Sequence, residues 1–313
     1  MHRSYDSPSP VKQRLVDRAN VVLDNGFVTH PGFYLGHADV PLLADVDGDG
    51  RDEIVVWRPV EGFWFAIDPI TYQWTTYALQ FGGQVGDVPL VGRFNNDQVE
   101  DFAIWRPSNG TWHFITAAGA PISARQYGRS GDVPLVGDFN GDGVDDIAIW
   151  RPSLGTWDAA TKDGKPLLFH QFGQAGDQPL IGDYDADGKD DIFIWRPSTG
   201  EWHVIASLAG GPLFLRQWGG PGDRPLVGDF NNDKRADLAI WRPSTGEWHA
   251  VTSAGAPLFV RQWGESGDVP LLGKIDANET HDLVAWRPSS GTWWALGTNA
   301  GQLFGNVQFG MPY

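Results

Sequence analysis

The tripeptide Trp-Arg-Pro recurs six times along this chain of 313 residues, at nearly constant intervals of 45 to 48 residues. It begins at Trp57, Trp105, Trp150, Trp195, Trp241 and Trp286. A second Trp follows each first Trp after seven residues, and each unit closes on Gln, an aromatic residue and Gly. Repetition at this period predicts a chain built from copies of one supersecondary unit.

Each unit has the pattern of four short strands. In the unit around Trp150, apolar or aromatic runs occupy residues 134–139, 146–151, 157–161 and 167–172. Pro152 and Gly155 place a turn between the second and third runs. No helical period competes with this pattern. Four strands and a Gly/aromatic signature in each unit are typical of a β-propeller blade, and an open solenoid is the alternative.

We therefore expect an all-β fold, with a single β-propeller domain over residues 21–313 after an N-terminal extension over residues 1–20. The full repeats span about residues 37–82, 83–128, 129–173, 174–219, 220–264 and 265–310. Residues 21–36 resemble the third and fourth strands of another unit, with Phe33-Tyr34-Leu35-Gly36 in the closing position. This favours seven blade positions, six full repeats plus a reduced N-terminal blade. A six-bladed propeller with an extension is the alternative.

Charge and composition exclude several partners. The chain has no Cys, so disulfides and thiolate metal sites are excluded. Its formal net charge of -16 argues against nucleic acid and anionic lipid, because both attract a positive surface. No apolar run reaches the roughly 18 residues of a membrane span, so we expect no membrane insertion. The negative charge favours cations as small ligands.

The acidic residues concentrate between the first and second strands of each unit. In residues 183–191, Asp occupies loop positions 1, 3, 5 and 9, and Gly188 occupies position 6, where a sharp bend is needed. Calcium prefers about six to eight oxygen ligands, which alternate side chains and the carbonyl of position 7 can supply. We predict about four structural calcium ions. Their ligands are Asp45, Asp47, Asp49, Arg51, Glu53, Asp138, Asn140, Asp142, Val144, Asp146, Asp183, Asp185, Asp187, Lys189, Asp191, Asp229, Asn231, Asp233, Arg235 and Asp237.

Three of the loops depart from this pattern. The loop that begins at Asp229 has Lys234 in place of the Gly, which predicts a weaker site. The other two begin with Arg93 and Lys274 instead of Asp. Because a fixed cation at that position can neutralise the same carboxylates from within, we predict that these two loops bind no calcium.

The motif Gly-Asp-Val-Pro-Leu-Val-Gly-Asp-Phe at residues 131–139, followed by the DxNxDGxxD loop and by Ile-Trp-Arg-Pro, resembles the FG-GAP or VCBS repeats. Such repeats occur in integrin alpha-subunit propellers, in propeller lectins and in many bacterial secreted proteins. The resemblance covers residues 36–310. It implies a calcium-bearing propeller with ligand recognition on the face opposite the calcium loops, or sugar pockets between blades.

The residue after the second Trp varies among units that are otherwise alike, and it is His in three of them. An indole beside an imidazole can stack on a sugar ring and bond its hydroxyls, and several weak sites would multiply avidity. The candidate ligand residues are Trp112, His113, Trp157, Trp202, His203, Trp248, His249 and Trp293. The alternative is that each Trp packs between blades. A recurrent Arg after the first Trp and a recurrent Asp before the first strand predict ion pairs that lock neighbouring blades.

The expected function is a calcium-stabilised binding module for carbohydrate, including cell-surface glycans. Alternatives are a scaffold for protein docking or adhesion, and an accessory propeller domain of a larger secreted enzyme. We expect no enzyme activity, because the chain lacks a Cys nucleophile, HExxH, a phosphate loop and GxSxG. Short calcium loops need about millimolar calcium, so an extracellular or cell-surface setting is expected.

Overall fold

The computed structural model describes residues 39–310, except 208, 209, 277 and 300. These residues form 24 strands and no helix, so this part of the chain has no helix that could cross a membrane. The strands are β1 (Val40–Ala44), β2 (Glu53–Arg58), β3 (Phe63–Ile67), β4 (Trp74–Gln80), β5 (Val88–Gly92), β6 (Asp101–Arg106), β7 (Thr111–Ile115), β8 (Pro121–Gln126), β9 (Val133–Gly137), β10 (Asp146–Arg151), β11 (Thr156–Ala160), β12 (Pro166–Gln171), β13 (Gln178–Gly182), β14 (Asp191–Arg196), β15 (Glu201–Ile205), β16 (Pro212–Gln217), β17 (Arg224–Gly228), β18 (Asp237–Arg242), β19 (Glu247–Val251), β20 (Pro257–Gln262), β21 (Val269–Gly273), β22 (Asp282–Arg287), β23 (Thr292–Gly297) and β24 (Gly301–Gln308).

The strands form six antiparallel sheets of four, and each sheet is built from four strands that are consecutive in the chain. These sheets are blades 1 to 6, from β1–β4 to β21–β24. The turn between the second and third strands of a blade packs against the end of the fourth strand, and this contact requires Gly. Gly110 has φ 67°, and a Cβ there would lie 2.1 Å from the carbonyl oxygen of Gly128.

The six blades close into a ring. The first strand of each blade contacts the first strand of the next, and β21 contacts β1. A backbone hydrogen bond crosses each junction, and the bond from Asp52 N to Lys274 O, at 2.7 Å, joins blade 6 to blade 1. The β-propeller is thus confirmed in its six-bladed form, which corrects the preference for seven blade positions. Residues 21–36, which suggested the seventh blade, lie outside the described residues.

The core lies between the blades and contains the repeated Trp residues. All twelve are at most 2% exposed. In blade 1 the indoles of Trp57 and Trp64 both donate to the carbonyl oxygen of Phe81, at 3.1 and 3.0 Å. Trp64 also stacks on Phe102 of blade 2, with ring centroids 4.4 Å apart. In every blade the second Trp donates in this way to the carbonyl of the closing aromatic residue, and the second Trp of blade 1 also packs against the next blade.

Candidate functional site

The six loops that join the first and second strands of each blade define what we call the acidic face. They span residues 45–53, 93–101, 138–146, 183–191, 229–237 and 274–282. The Asp at position 1 shapes the loop by accepting backbone amides. Asp138 Oδ1 accepts from Gly141 N at 2.6 Å, and Oδ2 accepts from Gly143 N at 2.8 Å. The loop is thus wound around this first carboxylate.

Two of the four predicted calcium loops bring three carboxylates together. The oxygens of Asp45, Asp47 and Asp49 lie within 4.8 Å of one another, as do those of Asp183, Asp185 and Asp191. In the other two loops position 3 is Asn. Asn140 Nδ2 donates to Asp146 at 2.9 Å, so part of that donor set is used within the loop.

The carboxyl groups at position 9 are buried, and burial raises their pKa. The pKa rises to about 8 for Glu53, to about 7 for Asp146 and Asp237, and to about 6 for Asp191. A bound divalent cation favours the ionised form of such groups and would reverse these shifts. The donor set consists of oxygens from a flexible loop, which fits calcium.

Position 7, predicted to offer its carbonyl, has a cationic side chain in three of the four loops, and in two of these the cation pairs with the carboxylate at position 5. Lys189 Nζ lies 2.6 Å from Asp187 Oδ2, and Arg51 forms an ion pair with Asp49. The side chain at position 7 therefore competes with a metal ion for the carboxylate at position 5. In all four loops the backbone amide at position 7 also donates to the position-5 carboxylate.

In the loop of residues 274–282, which is predicted to bind no calcium, the cation at position 1 pairs within the loop. Lys274 Nζ lies 3.1 Å from Glu279 Oε2. In the other such loop, of residues 93–101, Arg93 Nε is buried without a hydrogen-bond partner among the described residues. Burial raises the pKa of Asp101 to about 7 and that of Asp282 to about 6.

Position 8 of the loops joins neighbouring blades, and the sequence reasoning missed it. Asp190 N donates to Asp138 O at 2.8 Å, and Asp138 N donates back to Asp190 Oδ2 at 2.9 Å. A Cβ on Gly137 would lie 2.6 Å from that carboxylate, so the Gly that ends the first strand makes room for it. In blade 1 this Gly is Ala44, and the longer Glu100 reaches across instead. The sequence signal was a Gly at the end of the first strand matched by an Asp at position 8 of the next loop, which occurs at three of the six junctions: Gly92–Asp145, Gly137–Asp190 and Gly273–Asp52.

The opposite face, here called the linker face, contains the turns between second and third strands and the linkers between blades. Each blade has a bidentate Arg–Asp pair there, as predicted. The pairs are Arg58–Asp39, Arg106–Asp87, Arg151–Asp132, Arg196–Asp177, Arg242–Asp223 and Arg287–Asp268. The expectation that they lock neighbouring blades is corrected, because both partners belong to one blade. The Asp does fix the incoming linker, since Gln174 N donates to Asp177 Oδ2 at 3.0 Å.

The five Trp residues proposed as sugar platforms are fully buried. They are Trp112, Trp157, Trp202, Trp248 and Trp293, and each is 0% exposed. Their rings pack in the core and their indole N–H groups donate to backbone carbonyls, as Trp202 does to Trp218 O at 3.0 Å. These indoles cannot stack on a ligand, and this corrects the sequence-based assignment.

The three candidate His residues are half-buried on the linker face. In His113, His203 and His249 the Nε2 atom is buried and has no hydrogen-bond partner among the described residues. His203 Nε2 lies 3.7 Å from Glu201 Oε2, and Glu201 accepts from Arg196 Nη1 at 3.2 Å. Burial lowers the pKa of His113, which favours its neutral form. A neutral imidazole nitrogen can donate to or accept from a hydroxyl group.

The closing aromatic residues are more exposed than the buried Trp residues, and the sequence reasoning treated them only as repeat markers. Phe81, Tyr127, Phe172, Trp218 and Trp263 are half-buried. Phe172 of blade 3 meets the His203 ring of blade 4 edge-on, with centroids 6.4 Å apart. We call these places inter-blade clefts. The contacts of Phe172 with His203 and of Tyr127 with Asp158 define two of them, and the repeat places the closing aromatic residue of one blade and the residue after the second Trp of the next at the corresponding positions of the others.

The clefts differ in chemistry because the residue after the second Trp differs. In the cleft between blades 2 and 3, Tyr127 Oη donates to Asp158 Oδ1 at 2.5 Å. In the cleft between blades 5 and 6, the Arg287 guanidinium lies over the Trp294 ring, 4.4 Å from its centroid. Blades 4 and 5 share the sequence WRPSTGEWH, and the distance from His249 Nε2 to Glu247 Oε2 is again 3.7 Å. Their clefts are thus a matched pair.

No family model matches the chain, and no curated protein matches it. Among solved structures, it is similar to a virginiamycin B lyase from Staphylococcus aureus, with 13% identity, 85% of this chain and 84% of that chain covered, and a TM-score of 0.55. It is also similar to an Agrocybe aegerita lectin specific for non-reducing terminal N-acetylglucosamine, with 13% identity, 84% and 78% coverage and a TM-score of 0.57. A third similar structure is BBS1N in complex with ARL6DN, with 12% identity, 90% and 83% coverage and a TM-score of 0.51.

These likenesses show the propeller fold alone, because the identities are 12 to 13%. They nevertheless correct one expectation. The sequence led us to expect no enzyme, yet an enzyme, the lyase, is among the structures with this architecture. Repeated residues on a propeller are therefore no argument against catalysis.

Proposed function

We propose that the protein is a carbohydrate-binding module whose sugar sites are the inter-blade clefts of the linker face. The observation that carries this proposal is the set of three buried His Nε2 atoms that lack hydrogen-bond partners among the described residues. In blade 4, the His atom lies beside a half-buried aromatic ring. Sugar hydroxyls both donate and accept, and the apolar face of a sugar ring packs on aromatic carbons.

The clefts that precede blades 4 and 5 are the strongest candidates. Each combines an Arg, a Glu and a His within reach of one another, as in Arg196, Glu201 and His203. Because Glu201 accepts from Arg196, its charge is partly compensated, and the set offers both donors and acceptors to hydroxyl groups. Two matched sites on one rigid ring would bind a glycan-bearing surface more tightly than either site alone.

Calcium is the second part of the proposal. The residues that would hold it are those at positions 1, 3, 5 and 9 of the four intact loops, together with the position-7 carbonyl. Bound calcium would compensate the buried carboxylates at position 9 and fix the loops. The FG-GAP or VCBS likeness and the need for about millimolar calcium support an extracellular setting for this module.

A glycan array tests the proposal. The full chain is applied in millimolar calcium and again in EDTA, beside the double variant His203→Ala/His249→Ala. We expect binding to a defined group of glycans and a large loss in the double variant. His170→Ala is the matched control, because its ring bonds Ser207 O at the outer edge of blade 3, outside the clefts. A blank array in both buffers would reject carbohydrate binding and favour a protein-docking scaffold.

A further inference from the structure

The exposed large apolar side chains are concentrated in blade 1. Of the nine such residues that the described chain contains, five belong to this blade. They are Val60, Ile70, Tyr72, Trp74 and Tyr77. Scattered exposed apolar residues are ordinary, but contiguous exposed aromatic rings usually mark a surface that something covers.

Four of the aromatic rings at this place form one patch, at the junction of blades 6 and 1. We define the blade 1 aromatic patch as Phe65, Trp74, Tyr77 and Phe309. Trp74 and Tyr77 are 43% and 46% exposed and meet at 90°, with centroids 4.8 Å apart. The other two rings are buried and form the base of the patch: Phe65 lies 6.0 Å from Tyr77, and Phe309 of blade 6 lies 5.5 Å from Trp74.

The backbone of β4 is adapted to this patch. Its register against β3 shifts between Trp64 and Ala66, and Ala78 has φ 52°, which is unfavourable for a residue with a Cβ. This bulge leaves Tyr77 within aromatic contact of Phe65. In blade 2 the outer strand has the small residues Ser123 and Ala124 at the corresponding place. Blades 3 and 5 have the exposed residues Phe169 and Val260 there, but among the described residues only blade 1 has two exposed aromatic rings in contact on its outer strand.

The described chain begins close to the patch. Asp39 binds Arg58, with Oδ2 and Nη2 2.8 Å apart, and the Arg58 guanidinium lies 5.5 Å from the centroid of the Phe65 ring. Arg58 therefore contacts both Asp39, the first described residue, and Phe65 of the patch. An extended chain spans about 3.3–3.6 Å per residue, so roughly five residues before Asp39 are enough to reach it.

The chain that precedes Asp39 is apolar where it would reach the patch. Half of residues 21–36 are apolar or aromatic, and Phe33, Tyr34 and Leu35 lie four to six positions before Asp39. The ring of six blades is closed by the described strands alone. We infer that the occupant of the blade 1 aromatic patch is the segment of residues 21–36 of the same chain. The inference does not depend on the proposed carbohydrate sites.

Site-specific photo-crosslinking in the full chain tests this inference. The photoreactive residue benzoylphenylalanine replaces Tyr77, and the crosslinked peptides are identified by mass spectrometry. We expect crosslinks within one chain to residues 21–36. The matched control is the same replacement at Phe169, which is 64% exposed on the outer strand of blade 3 and should give no such crosslink. Crosslinks between two chains would assign the patch to a second copy and overturn the inference.

Hydrogen exchange provides a second test that does not need the photoreactive residue. In the variant Phe33→Ser/Tyr34→Ser we expect several-fold faster exchange of β4 amides and unchanged exchange in β12. Unchanged exchange in β4 would overturn the inference. The two assays can also be combined. If Trp74→Ala loses binding on the glycan array and position 77 gives no crosslink to residues 21–36, the inference is overturned and the patch is a sugar-binding site.

Discussion

At the scale of single residues, the two loops that we predict to bind no calcium also contain a buried carboxyl at position 9. Asp101 is fully buried, and its Oδ2 accepts the amide of Phe94 at 3.2 Å. Burial without a cation raises the pKa of Asp101 to about 7, so the folded protein holds this group protonated well above the pH at which it ionises in the unfolded chain.

This shift predicts a pH dependence of stability. Because the folded-state pKa is raised, the contribution of Asp101 is present below about pH 4 and is lost as the pH rises to about 7. Asp101→Asn keeps an acceptor but cannot ionise, so its melting temperature should fall less between pH 5 and pH 8 than that of the parent. Thermal melts at both pH values, with exposed Asp163→Asn as control, measure this. An identical fall in parent and variant would refute the assignment.

Single residues also show where prediction from sequence succeeds. The Arg–Asp pairs could be predicted, because an unpaired charge in every repeat would be costly. The burial of Trp202 and the other second Trp residues could not. Whether an indole is exposed depends on what packs across the blade interface, and that contact is non-local. For the same reason the closing aromatic residues, such as Trp218, were not predicted to be half-buried candidate ligand residues.

At the scale of elements, the loop between the first and second strands has two roles. It contains the acidic site, and its position-8 residue hydrogen-bonds to position 1 of the neighbouring blade's loop. We call this second contact the clasp. The clasp depends on the Gly that ends the first strand. Gly137→Ala would place a Cβ 2.6 Å from Asp190 Oδ2 and 2.8 Å from an Ile181 methyl group. The overpacking should cost about 1–3 kcal/mol.

Blade 1 suggests how to rescue this variant. At its junction with blade 2, blade 1 has Ala44 in place of the Gly, and the facing residue of blade 2 is Glu100 in place of the Asp. Gly137→Ala/Asp190→Glu should therefore be more stable than Gly137→Ala alone in urea unfolding. Gly220→Ala is the control, because nothing lies within 4 Å of a Cβ there. Equal stability of the single and double variants would show that the clasp is unimportant.

The intact loops also predict a defined metal content. After dialysis against calcium, elemental mass spectrometry should find about four ions per chain, and about three in Asp183→Asn/Asp185→Asn. Asp97→Asn should leave the count unchanged, because its loop begins with Arg93. When the free calcium concentration is a hundred times the Kd, each occupied site adds about 2.7 kcal/mol to the free energy of unfolding. EDTA should therefore lower the melting temperature. An unchanged melt in EDTA would argue against structural calcium.

The strands themselves could be predicted from sequence, because the pattern of apolar runs and Gly/Pro turns is local. The clasp at position 8 could not be predicted with the same ease. Its two halves, such as Asp138 and Asp190, lie 52 residues apart and meet only once the blades are adjacent.

At the scale of the whole molecule, the ring divides the chemistry between two faces. One face contains the acidic loops, and the other contains the Arg–Asp pairs and the inter-blade clefts. The number of blades was the least predictable feature, because ring closure joins the two ends of the propeller. Lys274 N donates to Asp52 Oδ2 at 2.8 Å across 222 residues, a contact that no repeat pattern reveals.

The central claim is that the linker-face clefts bind sugar. The most direct measurement is isothermal titration calorimetry of the full chain in calcium, with the free monosaccharide that the array identifies. We predict more than one site per chain, and two fewer sites in His203→Ala/His249→Ala than in the parent. A parent with no measurable binding, or a double variant with the same number of sites as the parent, would contradict the account.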